Sequence, residues 1–319
     1  MRAHVVRLSP LWLAAIALAA IALASRPAAA QPAVVASIMP VHALVASVME
    51  GVGAPDIVVR GAASPHAYAL KPSEARLLDR AKIVFWIGPI YETFLDKTLK
   101  TLAGKATVVA LMRSPGVALL DTREGGVWED DDHGHGHGHA KDAKHADDEA
   151  DGHLFLDPAN AKAMTRSIAA TLVKADAANA ARYEANAARL LARIDGLDGE
   201  LRTILAPARE KPYLVFHDAY QYFEKRYGLE AAGSITVTPD RRPGARRLTA
   251  LRKRVASAEA VCVFSEPQFE PSLVKTVVEG TKASTGVLDP LGADLTPGPD
   301  AYFTMMRNLG KAFAGCLAG

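Results

Sequence analysis

Several kinds of segment are missing from this chain of 319 residues. Beyond an apolar run at residues 11 to 24, no stretch is long and apolar enough to cross a bilayer as a helix. No cysteine lies directly after that run, so no residue at the expected new amino terminus can carry a lipid. The 37 basic and 35 acidic side chains nearly balance, which leaves no basic surface for nucleic acid. We therefore expect a soluble protein that is neither membrane-spanning nor lipid-anchored and does not bind nucleic acid.

The amino terminus has the pattern of a secretory signal peptide. Arg2 and Arg7 precede the apolar run, and small residues up to Ala30 follow it. The run is shorter than the roughly 20 residues that a membrane-spanning helix needs. We expect cleavage after about Ala30 and export to the periplasm, where the mature chain would carry 34 basic and 35 acidic side chains.

Cysteine is scarce: the chain has only Cys262 and Cys316, both in its last third. In an oxidising compartment we expect the two to pair. Closing a loop of that size stabilises a fold by roughly 4 kcal/mol in the chain-entropy model. Two buried thiols are the alternative.

Short apolar, β-branched runs alternate with helical patterns at both ends of the mature chain. The runs lie at residues 33–38, 56–60, 82–88 and 106–111, and again at 213–218, 234–239, 260–267 and 284–290. Continuous apolar strands that alternate with helices indicate parallel sheets covered on both faces. The pattern predicts an α/β fold of two lobes, each with a four-stranded parallel sheet and a (βα)4 arrangement.

A single long helix is predicted between the lobes. Apolar residues recur there every three or four positions, at Tyr183, Ala187, Leu190, Ile194, Leu197, Leu201 and Ile204. About 30 residues at 1.5 Å each give a rod of roughly 45 Å. The predicted order is a signal peptide (1–30), the amino-terminal lobe (31–120), a polar loop (121–152), the end of that lobe (153–176), the linking helix (177–208) and the carboxyl-terminal lobe (209–319).

The polar loop has almost no apolar residues and is rich in His, Asp and Glu. Such a segment buries too little surface to offset its ordering entropy, so we expect disorder. Its histidines, most of them alternating with glycine, are expected to bind metal ions loosely, whereas a solvated linker is the alternative. These auxiliary candidates are His133, His135, His137, His139 and His145.

Four further candidates lie next to predicted strands or helix starts. His66 follows the strand at 56–60, His153 precedes a helix start at Asp157 and Pro158, and His217 and Asp289 end strands. Ligands of open α/β sheets bind beyond the carboxyl ends of the strands. A lone histidine is more often an ordinary polar residue, but three histidines and one aspartate form a tetrahedral zinc set. Imidazole-rich sites favour Zn²⁺ over Mn²⁺.

Five stretches resemble a known family when taken in order: GAASPHAYALKPSEARLLDRAKIVFWIGPIYETFL, GHLFLDP, FHDAYQYFEKRYGL, VCVFSEPQF and GVLDPLG, interrupted by the His/Asp-rich loop. They are similar to the zinc-binding periplasmic components of ABC importers in the cluster A-I family of solute-binding proteins. The resemblance covers essentially the whole mature chain. It implies two (βα)4 lobes joined by one long helix, with the metal in the cleft between them.

The resemblance also implies roles for particular residues. His66, His153 and His217 match the three zinc histidines of the family. Asp289 matches a position that ligates metal in many members, where others use water or a neighbouring carboxylate. Some relatives have Glu immediately before the first histidine, but here that position is Pro65. Manganese-type relatives have a carboxylate in place of His217.

By the same resemblance, Cys262 and Cys316 match a disulfide of zinc members from Gram-negative bacteria. The implied partner is an inner-membrane permease, with its cytoplasmic ATPase engaged indirectly, and we expect a monomer that carries Zn²⁺ as cargo and is not an enzyme.

Two other functions remain open from the sequence. A periplasmic zinc buffer or chaperone without a transporter would need only the His-rich loop. A zinc hydrolase would leave one coordination position for an activated water, with Glu266 or Asp218 as its base. The sequence has no HExxH run.

Overall fold

Continuous apolar runs form the centres of two parallel sheets. The computed structural model describes residues 32–123, 150–236, 244–257 and 260–318. The predicted signal peptide and the five loop histidines lie outside these residues. The first half of the chain contains β1 (Val34–Ala36), α1 (Met39–Val48), β2 (Asp56–Ile57), α2 (Pro72–Arg80), β3 (Ile83–Trp86), α3 (Thr93–Leu102) and β4 (Thr107–Ala110).

The second half repeats this alternation of strands and helices. Its elements are β5 (Tyr213–His217), α6 (Gln221–Tyr227), β6 (Ala231–Thr236), α7 (Ala245–Ala256), β7 (Cys262–Ser265), α8 (Ser272–Val278), β8 (Ser284–Val287) and α9 (Ala301–Leu317). The first sheet has the order β2-β1-β3-β4 and the second β6-β5-β7-β8, and every pairing is parallel. The predicted fold class of two four-stranded parallel sheets is confirmed. β6 begins at Ala231, three residues before the run that predicted it.

Two long helices connect the sheets. α4 (Pro158–Ala175) begins as predicted, because the Asp157 carboxylate accepts a hydrogen bond from the Ala159 N–H at 2.8 Å. α5 (Ala180–Leu205) follows, with one-turn 3₁₀ helices at 177–179 and 206–208 on either side of it. The predicted linking helix is therefore present.

The apolar stripe of α5 is buried along most of its length. The predicted positions from Tyr183 to Leu201 lie in the core, whereas Ile204 is partly exposed and Leu205 takes the buried position. Asn186 adds a polar contact, because its amide donates to the Val48 and Glu50 carbonyls at 2.8 Å each. The helix thus packs against α1 of the first half and α9 of the second.

The two described ends of the predicted disordered loop belong to the fold. Asp121 forms an antiparallel bridge with Ala150, and the Asp151 N–H donates to the Leu120 carbonyl at 2.7 Å. The Tyr222 hydroxyl on α6 accepts from the Leu120 N–H and donates to the Asp151 carbonyl. Residues 121–123 and 150–152, which the sequence interpretation assigned to the loop, are therefore part of the fold. The lobe boundaries given above stay a prediction.

Within the described ranges, no helix combines the length and the apolar character that crossing a membrane requires.

Candidate metal centre

Three histidines from distant parts of the chain meet at the carboxyl ends of the strands. His66 lies in a one-turn 3₁₀ helix after β2, His153 precedes another such turn, and His217 is the last residue of β5. The Nε2 atom of His153 lies 3.3 Å from Nε2 of His66 and 3.3 Å from Nε2 of His217. One ligand atom from each histidine lies within 4.8 Å of the other two.

This spacing matches a tetrahedral zinc site. Zinc–nitrogen bonds of about 2.0–2.1 Å at tetrahedral angles place two nitrogen ligands about 3.3–3.4 Å apart. The two distances at His153 equal that edge without any movement of the chain. Among the residues that the structure describes, this is the one group of His, Cys, Asp or Glu side chains with metal-binding geometry.

Two buried carboxylates orient two of the rings. The Asp151 carboxylate lies 2.7 Å from Nδ1 of His153 and also accepts the His153 backbone N–H at 2.9 Å. The Glu266 carboxylate lies 2.8 Å from Nδ1 of His217. A carboxylate at Nδ1 fixes the proton there and leaves the Nε2 lone pair for the metal. Both Nε2 atoms face the common centre.

The sequence interpretation missed these orienting roles. It did not single out Asp151, and it named Glu266 only as a candidate base in the hydrolase alternative, with a cleft or turn carboxylate as the simpler interpretation. A signal was present for each residue: Asp151 lies two positions before His153, and Glu266 directly follows β7, the strand beside β5. That neighbour relation is a property of the sheet and cannot be read from the spacing of Glu266 and His217 along the chain.

Asp289, the fourth predicted ligand, is not in the histidine group. One carboxylate oxygen accepts from Gln268 Nε2 at 3.0 Å and from the backbone N–H groups of Leu291 and Gly292. The other accepts from the Ala293 N–H at 2.6 Å. These bonds hold the carboxylate within its own turn. Coordination by Asp289 would require exchanging some of them for the metal, and it stays a prediction.

The surroundings of the rings set their protonation. Burial, together with the charges of the neighbouring His153 and His217 rings, lowers the pKa of His66 to about 2. Burial also disfavours the cation at His217, but the charge and hydrogen bond of Glu266 outweigh it and raise the pKa of His217. At neutral pH His66 therefore offers an unprotonated nitrogen, whereas a proton competes with a metal ion at His217.

Tyr91 forms one wall of the site. Its fully buried ring meets the rings of His66 and His153 edge to face, with centroids 4.9 and 5.0 Å away. Gly152, next to His153, lies against it: a Cβ at Gly152 would lie 2.7 Å from the Tyr91 Cβ and Cδ2 atoms. The absence of a side chain at Gly152 therefore brings His153 close to this wall.

Adding one methyl group at Gly152 is expected to disturb both folding and metal binding. Gly152→Ala should lower the free energy of unfolding of the metal-free protein by about 1–3 kcal/mol, because the added Cβ would lie 2.7 Å from atoms of the buried Tyr91 side chain and force a shift. Zinc affinity should also fall, because the shift at Gly152 displaces the neighbouring ligand His153. The expected loss is roughly tenfold, which corresponds to about 1.4 kcal/mol of binding free energy. Urea unfolding and zinc titration measure the two effects.

The matched control is Gly196→Ala, in the middle of α5, where an added Cβ meets nothing within 4 Å. This change should raise stability by about 0.5–1 kcal/mol and leave zinc binding unaltered. Equal responses of the two variants would contradict the close contact between Gly152 and Tyr91.

Comparisons with known proteins were made on the sequence and on the fold. Residues 34–316 match the family model described as "Zinc-uptake complex component A periplasmic". The high-affinity zinc uptake system protein ZnuA of Brucella suis is 49% identical over 305 residues, which cover 89% of this chain and 91% of that protein. The protein of the same name from Yersinia pestis is 37% identical over 289 residues, with the same coverage of 89% and 91%.

Solved structures share the fold. A crystal structure of ZnuA superposes with a TM-score of 0.74 at 24% identity and covers 90% of this chain and 99% of its own. A ZnuA deletion mutant with zinc bound gives a TM-score of 0.73 at 24% identity, covering 91% and 99%. The solute-binding protein FpvC of Pseudomonas aeruginosa with Mn²⁺ gives 0.74 at 18% identity, covering 90% and 98%. At these identities the likeness supports the two-sheet architecture alone.

Proposed function

Because this chain belongs to the ZnuA family of periplasmic zinc-uptake components, we propose that it captures Zn²⁺ in the periplasm and delivers it to the permease of an ABC importer. His66, His153 and His217 hold the ion through Nε2, and Asp289 or a water supplies the fourth ligand. The observation that carries this proposal is the pair of 3.3 Å distances between the Nε2 atoms, which fit a tetrahedral zinc ion.

The site suits cargo that must be held and later released. Three neutral imidazoles add no charge of their own, and the carboxylates of Asp151 and Glu266 act on the ion through the rings that they orient. Most of the bonds to the ion therefore come from imidazole nitrogens, and these two carboxylates do not bind it directly. Oxygen-rich ligand sets suit manganese, calcium or magnesium better than zinc.

Direct titration tests the proposal. Purified mature protein stripped of metal should take up one equivalent of Zn²⁺ tightly, and Zn²⁺ should displace Mn²⁺. In bacteria that lack their own zinc-binding component, the chain should restore growth under zinc starvation only when a cognate permease is present. Rescue without any permease would support a periplasmic buffer or chaperone instead.

The His-rich loop would act as an auxiliary collector or sensor. Its five histidines, at 133, 135, 137, 139 and 145, would bind further ions weakly because ordering a glycine-rich chain around an ion costs conformational entropy. Deleting residues 131 to 146 should remove the weak equivalents and leave one tight site. If the tight equivalent disappeared as well, the separation into two kinds of site would be wrong.

The contacts of two carboxylates support transport over hydrolysis. A zinc hydrolase needs a base near the metal-bound water. Glu266 is engaged with Nδ1 of His217, and Asp218 is engaged with the guanidinium of Arg123. Turnover of ester, peptide or β-lactam substrates that is lost in Glu266→Gln would reverse this conclusion.

Zinc affinity is expected to fall as the pH falls. The pKa of His217 is raised above its ordinary value of 6.5, so this ring still binds a proton at pH 6.5 in the metal-free protein and must lose it to bind zinc. Affinity should be fully present at higher pH and should drop about tenfold per unit below the pKa of His217. His66, with its pKa of about 2, adds no proton in this range.

Zinc competition with a chelator of known affinity, repeated from pH 8 to pH 5.5, measures this dependence. Glu266→Gln removes the charge that raises the pKa of His217 and should move the fall in affinity to lower pH. A pH profile that Glu266→Gln does not shift would show that Glu266 does not set the protonation of His217.

A further inference from the structure

Arg123 connects the end of the first half of the fold to two carboxylates of the second. Its Nε atom donates to Asp218 Oδ2 at 2.8 Å, and Nη2 donates to the other oxygen of the same carboxylate. Its Nη1 atom lies 2.8 Å from Glu224 Oε2 on α6. The guanidinium is thus bidentate with one carboxylate and paired with a second, which is the strongest geometry available to an arginine.

Both carboxylates are tied to the metal centre or to the core beneath it. Asp218 directly follows the ligand His217. Glu224 is 3% exposed, and its other oxygen accepts the hydroxyl of Tyr213 at 3.0 Å, at the start of β5. Arg123 therefore binds two points of the β5–α6 unit that carries His217: the residue directly after β5 and a buried carboxylate in the middle of α6.

The backbone around Arg123 is tied to a different ligand. Two residues earlier, Asp121 pairs with Ala150, and the Leu120 carbonyl accepts the N–H of Asp151. Asp151 in turn orients the ring of His153. The Arg123 side chain thus joins two segments. One is the β-bridge of Asp121 and Ala150, which leads to His153, and the other is the turn after His217.

We propose that Arg123 is a positioning residue that holds the His153 and His217 turns at zinc-binding distance and thereby slows zinc release. This inference rests on the proposed zinc-binding function. Zinc leaves when its ligands separate, and separating His153 from His217 requires breaking the contacts between their supporting segments, which include the guanidinium bridge. Breaking this bridge is therefore a step on the release path.

The sign of the effect separates this role from simple electrostatics. Arg123 is a cation near a cation site, so removing its charge would by Coulomb's law strengthen zinc binding and slow release. Loss of the bridge acts in the opposite direction, because the two ligand turns then separate more easily. Faster release from a folded variant without the positive charge is opposite in sign to the Coulomb effect and therefore indicates lost positioning.

The experiment measures zinc dissociation from protein loaded with one equivalent, after mixing with excess chelator in a stopped-flow instrument. Arg123→Gln should release zinc at least about tenfold faster than the unaltered protein, the factor expected for losing a charged, partly buried hydrogen-bonded pair. Arg123→Lys keeps the positive charge but cannot form the bidentate pair with Asp218, and it should accelerate zinc release by a smaller factor.

Arg307→Gln is the matched control. It removes another arginine that donates to both oxygens of one carboxylate, that of Glu200, between α5 and α9, which carry no proposed ligand. Its release rate should equal that of the unaltered protein. Urea unfolding of every variant separates loss of folding from loss of positioning.

The outcomes are distinct. If the unaltered protein fails to hold one tight equivalent of zinc, the proposed function fails. If it holds zinc but Arg123→Gln releases the ion at the unaltered rate or more slowly, the role of Arg123 is overturned while the function stands. Should Arg123→Gln fail to fold, Arg123→Lys decides: release at the unaltered rate would overturn the proposal.

Discussion

Changing His153 to alanine is expected to weaken zinc binding by at least about a hundredfold. Structural zinc ions contribute roughly 10–16 kcal/mol through four ligands, so one ligand accounts for about 3 kcal/mol, or two orders of magnitude. His153 should show the largest loss of the three histidines because its Nε2 atom lies 3.3 Å from each of the other two. Without it, the remaining nitrogens belong to His66 and His217 alone.

Zinc competition titration measures this loss, and His139→Ala is the control of the same residue type. His139 belongs to the auxiliary histidines of the polar loop, so its replacement should reduce the weak equivalents and leave the tight one unchanged. The reverse result, a tight site that survives His153→Ala but not His139→Ala, would place the main site in the loop.

Removing the disulfide is expected to produce the largest loss of folding stability. Cys262 on β7 and Cys316 near the end of α9 are bonded and 54 residues apart. Opening a loop of this length costs roughly 4 kcal/mol in the chain-entropy model. Cys262 is fully buried, so replacing both cysteines by alanine should lower the free energy of unfolding by about that amount. The predicted pairing of the two cysteines is present in the structure.

Urea unfolding of Cys262→Ala/Cys316→Ala, beside the unaltered protein with and without a reducing agent, tests this expectation. Reduction alone should reproduce most of the loss, because it breaks the S–S bond and opens the same loop without deleting any side-chain atom. The tight zinc equivalent should persist in the folded variant, since neither cysteine touches a proposed ligand. A loss below about 1 kcal/mol would show that the loop is already restrained in the unfolded chain.

The fold was predictable where the sequence pattern is strong. Runs such as 82–88 and 213–218 are continuous and apolar because their strands are covered on both faces, and β3 and β5 are buried throughout. β6 was placed too late because it begins with Ala231, Ala232 and Gly233, which have little strand preference. The helical stripe failed only at its end, where a 3₁₀ turn follows and Leu205 replaces Ile204 in the core.

The site was predictable only in part. The positions of His66 and His217 after strands and of His153 before a helix start favoured a common site, and the family resemblance supported the same set. The hydrogen bonds of Asp289 to Gln268 and to its own turn depend on side-chain directions that spacing does not encode. The pairing of Glu266 with His217 likewise depends on which strands are neighbours, and sequence order does not reveal that relation.

The buried stripe of α5 has a mechanical consequence for how an ion would leave. A helix of 26 residues, about 39 Å long and packed along one face, resists bending, so the two halves are expected to slide or twist by small amounts rather than swing apart. A coordination bond to zinc fails over less than an ångström of stretching. A stiff protein of this kind can therefore release a bound zinc ion through a movement of its two halves that is too small to change their overall arrangement.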